Sequence, residues 1–324
     1  MERFDSPGGG FRVHFTRAGS HRVPSADADA DGVPDFVEQV AETYDEVLAF
    51  YAGTLGLRAP LGDGVLGGDA RFDVYLIDFN RAADGSFRTD GCLQQNPERC
   101  FGYIVQENDF AGYGYPSTRV ANRVLASHEL FHAVQAAYDT GQKPVFSEGT
   151  AVWATERFDP SLNDFEAFIG AYLQNPERSL DVPPVGPVAS FAYGAAIFFR
   201  FLEERFGAEL VPALLKATEN GAGGVADPYW VEALDSMLAG VHGSSFADAF
   251  TGFAEWNLMT GTFAAGGRYA NAAAYPPPKM AFEQAPLFVE RGRYFYASTQ
   301  YFSLEVKGRK AMTAALVPHE GNKT

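Results

Sequence analysis

The residues whose types and spacing could do chemistry are His128, Glu129 and His132, in the run SHELFHAVQ. Four residues make about one helical turn, so both imidazoles leave one face of a helix and can grip a single ion. Glu129 is rotated enough to reach that ion's water instead. This is the HExxH pattern. A zinc hydrolase site needs a third protein ligand and one open position. Glu148, in FSEGTAVWATE and sixteen positions beyond His132, is the candidate carboxylate. A rival arrangement, with a glycine and a third histidine later on the same segment, fails because Gln135 and Tyr138 stand at those places. The expected centre is Zn²⁺ on His128, His132 and Glu148, with Glu129 as general base and then general acid.

Two helices must carry these side chains. Val120, Val124, Phe131, Val134 and Tyr138 recur at the three-and-four spacing of a buried amphipathic helix, with Pro116 and Ser117 at its start. Gly141 and Pro144 stop it, and a second helix begins near Pro144 and runs back past the first. A short turn between them can bring Glu148 to the two histidines. Gln135 and Glu156 are candidates to orient the ligands from behind.

A second metal motif lies nearer the N-terminus, in DADADGVPDFVE. Asp27, Asp29, Asp31, Gly32, Asp35 and Glu38 fall on positions one, three, five, six, nine and twelve of a calcium loop, and the Val33 carbonyl would serve position seven. Pro34 and Asp35 then open a helix with apolar Val37, Val40, Tyr44, Val47, Leu48, Tyr51 and Leu55, which anchors the loop to a core element. With no helix entering before Asp27, the loop departs from a paired EF-hand and reads as a single structural Ca²⁺ site. A loop that only caps the helix is the alternative.

Totals bound what else is possible. At 324 residues the chain is long enough for about two domains. Its 46% hydrophobic and 20% charged residues suit a globular core. A net charge of −16 argues against nucleic acid as a partner, since phosphate binding needs clustered Lys and Arg. No run of eighteen apolar residues is present, so no membrane span is expected. MERFDSPGGG has no apolar signal core, so export would need a leader missing from this chain. Cys92 and Cys100, in a Gly-, Asn- and Pro-containing loop, read as a disulfide pinning that loop and hence an oxidising compartment.

Strands are expected at Phe11 to Phe15, at Arg71 to Phe79 and at Tyr103 to Gln106. Beyond Glu156 the pattern is helical and rich in aromatic packing residues. The prolines 276–278 mark a boundary, after which RYFYASTQYFSLEVKG alternates as strands. So short a stretch before the final EGNKT leaves that sheet small or truncated.

HELFHAVQ followed by SEGTAVWATE is similar to the gluzincin metallopeptidases, and with its flanking stretches the chain resembles a bacterial secreted group within them. The resemblance implies an α+β, zincin-like fold: an N-terminal mixed sheet with the active-site helix, a C-terminal helical lobe and a short β segment at the end. The corresponding domains are 1–140 with the calcium loop, 141–275 with the glutamate helix, and a partial β domain at 279–324. It further implies a catalytic zinc, a protein or peptide substrate, peptide hydrolysis and an extracellular location. Related enzymes use a downstream Tyr or His beside the metal, for which Tyr193 is the candidate and His242 the weaker one. Tyr103 to Gln106 resembles the zincin edge strand that pairs with an extended substrate. From another class, the same residues fit a catalytically inactive, zincin-like calcium-binding surface or interaction module. Zinc hydrolysis of a non-peptide substrate is chemically permitted.

Overall fold

A computed structural model describes residues 1–181, 190–264, 266, 268–284 and 294–305, with the backbone only for 282–284. The protein is mixed α+β. Strands β1 (Glu2–Asp5), β2 (Phe11–Phe15), β3 (Phe72–Ile77), β4 (Gly85–Leu93) and β5 (Asn96–Glu107) form one sheet in the order β1-β2-β3-β5-β4. Strands β2, β3 and β5 run parallel, while β1 and β4 are antiparallel to their neighbours. Helix α1 (Asp35–Gly53) connects β2 to β3, and α2 (Thr118–Ala136) follows β5.

Strand β2 shows why this layering holds. Phe11, Val13 and Phe15 are buried, and the Phe11 ring meets Tyr44 of α1 at 5.3 Å. The intervening polar residues are also buried but paired: Arg12 bonds Asp5 and His14 bonds Asp73 at 2.6 Å. A second polar chain pins the helices to the sheet. Tyr44 donates to Gln106, Gln106 to Asn122 and Asn122 to Gln39, at 2.9, 2.7 and 2.8 Å, so α1, β5 and α2 share one buried hydrogen-bonded line.

Two expectations for the sheet need correction. Tyr103 to Gln106 belongs to β5, which is paired on both sides, so it is not an edge; the edges are β1 and, next to β5, β4. Cys92 and Cys100 are bonded, but they face one another across the β4–β5 hairpin rather than closing an irregular loop. Strand β4 escaped the sequence pattern because one side of it is open: SFRTDGCL carries polar residues where a buried strand would alternate.

Helix α3 (Pro144–Phe158) begins at its proline and is followed by α4 (Asp164–Leu173), α5 (Phe191–Gly194), α6 (Ala196–Phe206), α7 (Leu210–Ala217), α8 (Trp230–Met237) and α9 (Phe246–Leu258). Their aromatic rings interlock: Phe198 meets Phe199, Trp230, Phe246 and Phe253 within 6.2 Å. A parallel pair, β6 (Met280–Gln284) and β7 (Tyr301–Glu305), packs at the end, and the Tyr301 hydroxyl donates to the Ala254 carbonyl at 3.0 Å. The rest of the expected terminal β segment, 285–293 and 306–324, lies outside the described residues. Among the described residues no helix is long and apolar enough to cross a membrane.

Candidate metal centre

Ser117 caps α2 by accepting the Val120 N–H, and almost every later residue of the helix is buried. Helix α3 returns alongside it, zipped by polar contacts. Ser127 meets Thr155 at 3.0 Å near one end, and Gln135 donates to the Ser147 carbonyl and the Thr150 hydroxyl, both at 2.8 Å, near the other. This register brings Glu148 over His128 and His132. Gly149 permits the close approach of α6 behind it, since a Cβ there would lie 2.7 Å from the Phe199 ring.

His128 Nε2, His132 Nε2 and Glu148 Oε2 form a triangle with sides of 3.1, 3.2 and 3.3 Å. A tetrahedral ion with bonds of about 2.0–2.1 Å needs ligand atoms about 3.3 Å apart, so the three donors fit one face of such a site. Their chemistry fits as well. Gln135 uses its amide nitrogen on Ser147 and Thr150, which leaves its oxygen to accept from His132 Nδ1 at 2.7 Å. The Nε2 of His132 then carries a lone pair, directed at the carboxylate oxygen of Glu148. Two acceptors at this distance require a positive charge, either a proton or a cation. Accordingly, burial lowers the His132 pKa, but Glu148 and Glu129 outweigh it and raise the group to about 9; Glu148, despite burial, is held well below its ordinary value by the two histidines.

Glu129 lies beside the triangle and accepts the Phe87 backbone N–H at 2.7 Å. Phe87 is on β4, so the sheet edge overhangs the HExxH helix. Tyr193 stacks on the His128 ring at 5.4 Å with planes 10° apart. Burial, then the charge of Glu148 and a hydrogen bond to it, push its hydroxyl pKa up, so it stays protonated and can donate. Gly194 lets this turn press against α4, where a Cβ would meet the Tyr172 amide at 2.7 Å. Family models and curated proteins offer no match to the chain.

Other candidates fall elsewhere. His242 is exposed and packs on Phe206 at 5.1 Å, away from the triangle. Glu156 is 4% exposed and faces not the ligands but Glu166, Arg200, Glu203 and Asp164. Sequence reasoning missed Asp164, at the first turn of α4. Burial raises its carboxyl to about 6 although His128 pulls it back, which places the carboxyl within electrostatic reach of that imidazole. An acidic residue opening a helix was the one signal available for it.

In the N-terminal loop, Asp27, Asp29 and Asp31 each offer an oxygen within 4.8 Å of the others. Gly32 takes φ +92°, and its N–H donates to Asp27 Oδ2 at 3.0 Å. Asp27 Oδ1 is buried without a partner, the kind of orphaned atom a cation would satisfy. Asp35 instead accepts the Ala28 N–H at 2.8 Å, and Val33 gives its N–H to Asp31. Burial and then the charges of Asp31, Asp29 and Asp35 raise the Glu38 carboxyl, so it stands near the cluster without joining the gathered three.

Glu156 gives a pH test. Burial, then Glu166, raise its pKa from 4.5 to about 7. A carboxyl with a raised folded-state pKa favours the fold below its unfolded pKa, and that contribution is lost as pH rises through 7. Glu156→Gln should therefore raise the thermal midpoint at about pH 8 and have little effect near pH 5. Thermal melts of both proteins across that range check it; parallel pH profiles would refute it.

Proposed function

We propose that the chain is a zinc-dependent endopeptidase of the gluzincin type, with a zincin-like fold and a structural Ca²⁺ site in the 27–38 loop. The observation that carries this reading is the ligand triangle with sides of 3.1–3.3 Å with Glu129 at its flank. His128, His132 and Glu148 would hold the zinc. When bound, zinc supplies Lewis acidity, which makes a water acidic near neutral pH and polarises a scissile carbonyl.

The remaining work falls to the chain. Glu129, fixed by the Phe87 N–H, takes the proton from the attacking water and returns it to the leaving amine. Tyr193 donates its hydroxyl to the oxygen on which charge develops, steadied by its stack on His128. Gln135 holds His132 in the tautomer that presents Nε2. The free side of β4 offers backbone groups to an extended peptide, which is the role first assigned to β5. A hairpin disulfide suits an oxidising, extracellular setting, consistent with a secreted bacterial enzyme.

Glu129→Gln should cut peptide turnover by about 10²–10⁴-fold while bound zinc stays near one per chain. Full turnover in that variant would remove Glu129 from the mechanism. If the unaltered, zinc-loaded protein cleaves no peptide, the non-catalytic binding module takes its place. Tyr193→Phe keeps the ring stack and should lower kcat by about 10²–10³-fold with KM little changed; an unaltered kcat would make the hydroxyl a packing feature. Ca²⁺ at millimolar levels should raise the thermal midpoint, and Asp27→Asn should abolish that rise. Terbium luminescence and melting curves read this out, and an equal response in both proteins would count against the loop.

A further inference from the structure

A cavity of about 230 Å³ opens directly beside His132 and Glu148. One wall is β4, through Phe87 and Thr89; the floor is the turn between α2 and α3, with Asp139; the far wall is the start of α3, with Phe146 and Ser147. Its position follows from the backbone. A peptide laid along β4 turns alternate side chains to the helix side, and one beside the triangle meets this opening.

Charge distinguishes the cavity from an ordinary apolar slot. Among the described residues no lysine or arginine lines it. Glu148 belongs to the ligand triangle, so the carboxyl left in the wall is Asp139, which is 3% exposed and has no ion pair among the described residues. Its two oxygens accept the Gly141 N–H at 2.6 Å and the Gln142 amide, which leaves further lone pairs on each. The carboxylate of Glu98 stands behind it, for a Cβ at Gly141 would lie 2.7 Å from Glu98 Oε1 and 3.1 Å from Asp139 Oδ1. Lys143, next along the chain, is turned to Asp181 at 3.6 Å and the Tyr229 ring at 4.7 Å. An acidic side chain reaching the Asp139 end of the cavity meets like charge. A lysine or arginine can lay its aliphatic stem against Phe87 and Phe146 and bring its cation to Asp139.

We propose that this cavity selects a basic side chain, lysine or arginine, on one of the two residues flanking the cleaved bond, with Asp139 as the specificity determinant. The proposal rests on the endopeptidase reading and names its substrate class.

The test uses the full, zinc-loaded chain and a series of otherwise identical peptides carrying Arg, Lys, Gln, norleucine or Glu at each flank in turn. At one flank kcat/KM should be at least about tenfold higher for Arg or Lys than for Gln or norleucine, and lowest for Glu. Asp139→Asn should shrink the basic-to-neutral ratio. Because the comparison among peptides needs only the unaltered protein, it stands even if that variant folds poorly. Cleavage of the neutral peptides as fast as the basic ones, at both flanks, overturns the proposal and leaves the endopeptidase reading intact. No cleavage of any peptide overturns both.

Discussion

The structure depends on the lateral register of α2 against α3. Three Lewis-basic atoms held 3.1–3.3 Å apart repel one another unless a positive charge lies among them. The contacts of Glu148 with the two histidines tie the triangle from within, and the helix pair that carries it is gripped from outside as well. Ser127 to Thr155 fixes one end of the helix pair, and Gln135 to Ser147 and Thr150 fixes the other. Gln135 does two jobs at once: the amide group that locks the helices also sets the tautomer of His132. The three donors are therefore held in place by polar contacts just behind them.

The sheet touches the site directly through a hydrogen bond from β4. The Phe87 N–H of β4 holds the Glu129 carboxylate, and β4 in turn is held by a long antiparallel pairing with β5 and by the Cys92–Cys100 bridge. An edge strand alone is the least constrained element of a sheet. Here the disulfide and the hairpin restrain it where it overhangs the helix, so the general-base candidate and the proposed peptide platform share one anchor.

How much of this was legible in the sequence follows from the range of the interactions involved. The histidine pair, the α2 start at Ser117 and the α3 start at Pro144 are local consequences of helical periodicity and capping, and spacing alone locates them. The meeting of Glu148 with the histidines was an inference from a short turn, and the structure brings the three together. Strand β4 was invisible because a half-exposed edge has no apolar alternation, and with it went the true position of β5 and the partner of Glu129. Asp164 and the surroundings of Glu156 depend on α4 and α6 packing against α3, contacts between segments far apart in sequence that no periodicity encodes.

Of these later carboxylates Asp164 bears on the site's charge balance. Asp164 is raised to about 6 and Glu156 to about 7, burial being the first cause in each and neighbouring carboxylates adding to it. Of the two, Asp164 lies within electrostatic reach of His128 while Glu156 faces away from the triangle, and at His132 burial is outweighed by Glu148 and Glu129, which raise its pKa to about 9. Such a site favours a divalent cation over a proton for a simple reason: a proton neutralises one charge, while a 2+ ion on the same lone pairs offsets two and removes the repulsion among its donors. The acidic surroundings of the triangle therefore suit the proposed cation, and the neutral amide of Gln135 supports His132 without adding to the negative charge.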